Sequence, residues 1–283
     1  MAYLTSMHQV TGRRPGGFTL IELLVVIGII GTLCLALFPV ITLVREIAHR
    51  GVCANNLRQL SLGWLGYAND NRGNIVSANT DQAATPNAWV DYSYATDTIL
   101  GGGALAPYIE KSFKLYNCPS PGNPNSVLSY VINSALNCGN DMGWTGLPRQ
   151  YFVTNLPQAA NAGSLLLFTE EFDPRRSLDS RNGFLQNTPV LAPYGAPAMS
   201  YPGYAGYGSD LLWADFPGSW HRSGVQSSYV DGHVSYYAFV ESRTSTLITT
   251  SAYYCYADGS DGAGAPGPDL LHFKTACWAH LIP

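Results

Sequence analysis

RRPGGFTLIELLVVIGIIGTLCLALFPVITLV, residues Arg13–Val44, is the stretch on which every other reading of this chain depends. After two arginines and Gly16-Gly17, the run from Phe18 to Val44 contains no Lys, Arg, Asp or His. It exceeds the ~20 apolar residues that a membrane-spanning helix needs. Its one charge is Glu22. A carboxylate inside an apolar span is costly, so it calls for a partner and a role. A protease cutting after Gly17 supplies the partner: Phe18 becomes a free amino terminus, and Glu22, now the fifth residue, lies one helical turn away. In a packed array of such helices, that carboxylate meets the amine of a neighbouring subunit. Arg13 and Arg14 place the leader in the cytoplasm and everything after the span outside it. Arg45 and Arg50 oppose this mildly and are offset by Glu46. A cleaved secretory signal fits poorly, because its apolar region runs only ~7–15 residues. An ordinary signal anchor would leave Gly17 uncut and Glu22 without a task.

GFTLIE followed by an apolar helix resembles the class III signal of type IV pilins and type II secretion pseudopilins. The resemblance implies that Gly17 is the last leader residue, Phe18 the N-methylated first mature residue and Glu22 the assembly glutamate. Pro39 falls where such chains often carry a helix-loosening proline. It implies a structural subunit, not an enzyme, with no catalytic residues. Its partners would be further copies of itself in a helical homopolymer, a prepilin peptidase and methylase, an assembly platform and minor pseudopilins. Before assembly the chain would be a single-pass inner-membrane protein with its carboxy-terminal body periplasmic or extracellular.

The helix does not stop at the membrane. REIAHRGVCANNLRQLSLGWLGYANDN continues without proline and places Cys53, Leu57, Leu60, Trp64 and Tyr67 in steps of four and three, one face of a helix. Asn69-Asp70-Asn71-Arg72-Gly73 then supplies a stop. From Phe18 to Asn69 such a helix rises ~78 Å, so its first half packs on lipid or on other subunits and its second half on its own body. Gly28, Gly31 and Gly51 soften it, and Pro39 removes one backbone donor.

GVCANNLRQLSLGWLGYANDNRGNIV, LAPYIEKSFKLYNCPSPG, SYVINSAL, SLLLFTEEFDP and WHRSGVQSSYVDGHVSYY resemble a large pseudopilin-like family with a carboxy-terminal signature of His, nine residues, then Asp-Gly. Here the signature residues are His221, Asp231 and Gly232. The expected fold is α+β: a long amino-terminal helix packed on an antiparallel sheet with long irregular insertions. The expected organisation is a leader over 1–17, a transmembrane and assembly helix over 18–44, and an extracytoplasmic body over 45–283 whose helix ends at about residue 70.

Within the body, SYVINSAL and GSLLLFTEEF predict strands, and Ala104–Lys111 a short helix. A short strand is expected around Ala88–Tyr94. Asp173–Gly218 carries Pro and Gly every few residues and predicts an irregular, tyrosine-rich insertion suited to a contact surface. Val225–Phe239 predicts a hairpin on a two-residue Asp231-Gly232 turn, pairing Val230 with His233 and Tyr229 with Val234. That register puts Val225, Ser227 and Tyr229 on one inward face with Val234, Tyr236 and Ala238. The tail predicts a strand to Tyr256 that closes the sheet, then a glycine-rich acidic loop.

A net charge of −4 and 12% charged residues, with no basic run outside the leader, exclude a nucleic-acid partner. An exported body permits disulfides among Cys53, Cys118, Cys138, Cys255 and Cys277, Cys34 lying in the span. We expect Cys53 with Cys118 and Cys255 with Cys277, against the alternative that all are reduced and buried. No cofactor is expected except Ca²⁺, for which Asp258, Asp261 and Asp269 in DGSDGAGAPGPD offer oxygen ligands on a flexible loop. The rival function is a membrane-anchored extracytoplasmic binding protein or hydrolase using the His221/Asp231 region. It requires His221, Asp231, Glu170 and Glu171 to converge in a concave site, and no hydrolase elbow, HExxH or phosphate loop accompanies them.

Overall fold

The computed structural model describes residues 17–78, 87–90, 103–109, 113–120, 128–137, 149–172, 213, 216–250 and 267–281. It divides into two units, Met1–Arg45 and Glu46–Pro283. Helix α1 (Leu20–Asp70) begins in the first and ends in the second. In the first unit its apolar side chains, Leu20, Ile27, Leu35, Phe38 and Val44 among them, are exposed. This is the one helix among the described residues long and apolar enough to cross a membrane.

In the second unit the stripe read from sequence is a core face: Cys53, Leu57, Leu60 and Trp64 are all fully buried. The helix stops where predicted, by a Schellman-type closure. Arg72 takes the left-handed conformation (φ 58°), Gly73 follows at φ 85°, and the Gly73 N–H reaches the Ala68 carbonyl at 2.8 Å.

Strands β1 (Tyr130–Ile132), β2 (Leu166–Glu170), β3 (Gly224–Tyr229) and β4 (Val234–Ala238) form a four-stranded antiparallel meander in sequence order. Alternation sends neighbouring side chains to opposite faces. Tyr130, Ile132, Leu165 and Leu167 join the α1 stripe in one core. Val131, Leu166, Val225 and Tyr229 face a second core built with Leu270, Phe273 and Ala276 of helix α4 (Pro268–Cys277). The sheet is therefore packed on both faces, which is why β3 is buried at every position. Two shorter helices, α2 (Phe113–Tyr116) and α3 (Ser242–Thr250), complete the described elements with three 3-10 turns at Arg149–Tyr151, Leu156–Gln158 and Ala279–Leu281. The expected α+β class holds.

Three local expectations are corrected. The hairpin pairs Ser228 with Val234 and Val225 with Tyr237, one residue off the predicted register. Its turn holds three residues: the Gly232 N–H donates to the Tyr229 carbonyl at 2.8 Å, Tyr229 N–H donates to the His233 carbonyl at 3.0 Å, and Gly232 takes φ 89°. A type I turn with a left-handed glycine is the usual three-residue solution. Tertiary contacts select it, since Val230 is buried in the α1-facing core and its N–H donates to the Leu165 carbonyl at 3.0 Å. The slip moves Val234 to the α1-facing core, while Tyr237 packs against the other.

The tail does not begin as a strand, because Ser242–Thr250 is helical and α4 covers the sheet face; residues 251–266 lie outside the described set. Ala104–Tyr108 forms turns in place of a helix. Ala88 makes an isolated parallel bridge to Ser77 and Trp89 and Val90 are bends, not strand, while the rest of the short strand expected there, residues 91–94, lies outside the described residues.

Candidate functional site

The start of α1 is built by a local device. The Thr19 hydroxyl accepts from the Glu22 N–H at 3.3 Å, while the Glu22 carboxylate accepts from the Thr19 N–H at 2.9 Å and from its hydroxyl at 2.8 Å. This is a capping box, in which a Thr and a Glu three residues on satisfy each other's loose donors. The T-x-x-E spacing was readable and gives Glu22 a second task, fixing where the helix begins. Gly17 and Phe18 precede the helix and are exposed. Phe18, Ile21, Glu22, Val25 and Val26 line one groove along this face, so the only charge of the span sits in an exposed apolar stripe. Helix α1 runs through Pro39 without a break.

A second constellation lies wholly within the body. His221, in the turn leading into β3, is fully buried. Its Nδ1 faces Glu46 Oε1 at 3.0 Å, and its Nε2 faces Glu170 Oε1 at 3.0 Å and Cys118 Sγ at 3.2 Å. Cys53 completes the group: ligand-type atoms of Cys53, Cys118, Glu170 and His221 all lie within 4.8 Å of one another.

Each member is held from behind. Glu46 and Cys53 stand two turns apart on α1. Glu170 ends β2, and its second oxygen accepts from the Gln226 N–H at 3.0 Å. The Cys118 N–H donates to Ser129 Oγ at 2.6 Å, and the Tyr236 hydroxyl donates to the His221 carbonyl at 2.7 Å. Arg50 lies over the Tyr236 ring at 3.6 Å. Burial depresses the His221 pKa, but its contacts with Cys118 and Glu170 outweigh that and raise it to about 10. Burial pushes the Cys118 thiol and the Tyr130 phenol strongly up.

The signature residues part company here. Asp231 sits on the hairpin turn, where its Oδ1 accepts from the His233 N–H at 3.0 Å and touches His233 Nδ1 at 2.6 Å. It shapes the turn that Gly232 closes. His221 bonds carboxylates and a thiol with its ring. Of the four residues a hydrolase would need, His221 and Glu170 meet in the interior, while Asp231 and Glu171 are not in the cluster. Among the described residues the four do not form one cluster.

Cys53 and Cys118, expected as a disulfide, are adjacent thiols. Cys277 is a buried residue of α4, and Cys255 lies outside the described residues. Of the calcium candidates, Asp258 and Asp261 also lie outside them. Asp269 is not on a loop but in the first turn of α4, fully buried. Its Oδ1 accepts from the Tyr237 hydroxyl at 2.9 Å and the Val240 N–H at 2.8 Å. Its Oδ2 accepts from the Glu241 N–H at 3.0 Å and the Thr244 hydroxyl at 2.6 Å. Four donors occupy the lone pairs a carboxylate offers.

A family model described as the prokaryotic N-terminal methylation motif matches residues 12–38. No curated protein and no solved structure matches the chain. The matched span holds Gly17, Phe18, Thr19 and Glu22, so the chain carries a prepilin-type leader followed by a membrane-capable helix.

Proposed function

We propose that this chain is a structural subunit of a type II secretion pseudopilus or a type IV pilus-like filament. It is cleaved after Gly17, N-methylated on Phe18 and polymerised through α1 together with minor pseudopilins on an assembly platform. The observation that carries the reading is the methylation motif at residues 12–38 set on an exposed apolar helix with one internal carboxylate. The chain acts by assembly and not by turnover. Before assembly it is anchored in the inner membrane with its body outside the cytoplasm.

The mechanism turns on Glu22. In the single subunit the carboxylate folds back on Thr19. In the filament it receives the amine of Phe18 from the next subunit, which makes the step between subunits a matter of charge matching in an apolar core. Glu22→Gln is a clean test, because glutamine serves in a capping box as glutamate does. The helix start is kept and the charge is lost. The variant is expected to be processed, membrane-bound and unpolymerised on fractionation; normal filaments would show that Glu22 has no part in assembly.

A further inference from the structure

We propose that Cys53, Cys118, Glu170 and His221 form a structural zinc site that ties α1 to the sheet. The proposal does not depend on the filament reading. Its four ligand atoms come from four segments far apart in sequence and converge in the interior with every pair within 4.8 Å. Zinc bonds of ~2.0–2.3 Å to N, O and S define a tetrahedron with edges of roughly 3.3–3.8 Å. Two of its edges, 3.0 Å from His221 Nε2 to Glu170 Oε1 and 3.2 Å to Cys118 Sγ, need only a small expansion.

The outer shell is that of a metal-bound histidine. Such a ring gives one nitrogen to the metal and the other N–H to a carboxylate. Here Nδ1 faces Glu46 Oε1 at 3.0 Å, which leaves Nε2 facing Cys118 Sγ and Glu170 Oε1, with Cys53 in the same group. Glu170 is likewise set for one-oxygen coordination, its other oxygen being held by the Gln226 N–H at 3.0 Å.

Two sulphurs, one imidazole and one carboxylate suit Zn²⁺ and not Ca²⁺ or Mg²⁺, which take oxygen ligands. All four ligands are buried, so there is no open position for a substrate, and the role is structural. On binding, each thiol releases its proton to solvent and its sulphur donates a lone pair to the ion. No redox step is involved.

Two rival arrangements fit the same residues. One is a buried imidazolium between Glu46 and Glu170 beside two neutral thiols, and the other is a Cys53–Cys118 disulfide. The test uses the full-length chain purified from membranes in detergent without added metal or chelator. Elemental mass spectrometry is expected to find about one zinc per chain. After chelator stripping under reductant, Co²⁺ is expected to give tetrahedral visible bands with thiolate charge-transfer bands, lost in Cys53→Ser and Cys118→Ser. Glu46→Gln keeps all four ligands and is expected to weaken zinc binding by about 10–100-fold.

Any failure of the variants to fold leaves the wild-type measurement decisive. Wild-type protein without zinc that takes up neither Zn²⁺ nor Co²⁺ overturns the proposal in favour of the imidazolium. A Cys53–Cys118 disulfide found by peptide mapping of unreduced protein overturns it too, as does a cobalt spectrum without thiolate bands.

Discussion

Replacing Asp269 by asparagine changes one atom and tests whether this carboxylate is the latch of the carboxy-terminal helix. The native side chain is fully buried and gathers four donors from β4, the segment after it and α3. Asparagine keeps one acceptor oxygen, which can retain the Tyr237 hydroxyl and the Val240 N–H. The new amide group faces the other two donors. Thr244 can rotate its hydroxyl to accept, but the Glu241 N–H then meets a donor and is left unpaired, a cost of about 1–3 kcal/mol. The retained bonds also lose charge assistance, about 1 kcal/mol each. Contacts that share one group do not add fully, so we expect a loss of ~3 kcal/mol overall. Urea unfolding of the full chain in detergent, followed by tryptophan emission, reads it, since Trp213 and Trp278 are buried in the core that α4 completes. A loss under ~0.5 kcal/mol, the scale of a neutral surface change, would refute the latch.

The helical phase of α1 is checked by a pair of variants. Leu57→Ala, at a fully buried site, is expected to cost about 2–5 kcal/mol, and Leu62→Ala, at an exposed one, to stay within about 0.5 kcal/mol; equal effects in urea melts would place the buried stripe wrongly. Gly232→Ala meets only Leu65 Cδ1 at 3.5 Å, so its cost is the left-handed backbone at φ 89°, about 1–2 kcal/mol, and a neutral result would remove the three-residue turn. Burial lowers the pKa of His272, stacked on Tyr237 at 3.8 Å, and of His280, bonded to the Tyr151 carbonyl at 2.9 Å. Burial thus favours the neutral form of each ring in the fold. Their stabilisation is present above the ordinary value of 6.5 and is lost as pH falls through their lowered folded values. The protection of α4 amides, that is their exchange corrected for the intrinsic rate at each pH, is therefore expected to fall on acidification below pH 6.5, and unchanged protection there would show that the two rings do not hold it.

The helix and its core face were legible because both rest on periodicity. Cys53, Leu57, Leu60 and Trp64 repeat with the helical turn, and all four are buried. The strands at Tyr130–Ile132 and Leu166–Glu170 were legible from β-branched and aromatic runs. The hairpin register was not, because Asp-Gly favours a two-residue turn locally, while burial of Val230 and its bond to Leu165 decide for one residue more. The tail misled for a similar reason. Thr and Ile suggest a strand, yet Asp269, distant in sequence, draws in the Glu241 N–H and the Thr244 hydroxyl where α3 begins. The His221 cluster had no spacing to betray it. Its members lie on α1, after α2, on β2 and before β3, and only the fold brings them together.

The account stands on a processed amino terminus, and the mass of the mature chain tests that claim most directly. Protein taken from membranes of the native host is expected to lack residues 1–17, to begin at Phe18 and to carry one methyl group on its amine. An intact chain beginning at Met1 with an unmodified Phe18 would contradict it, since no amine would then stand near Glu22 to pair subunits in a filament.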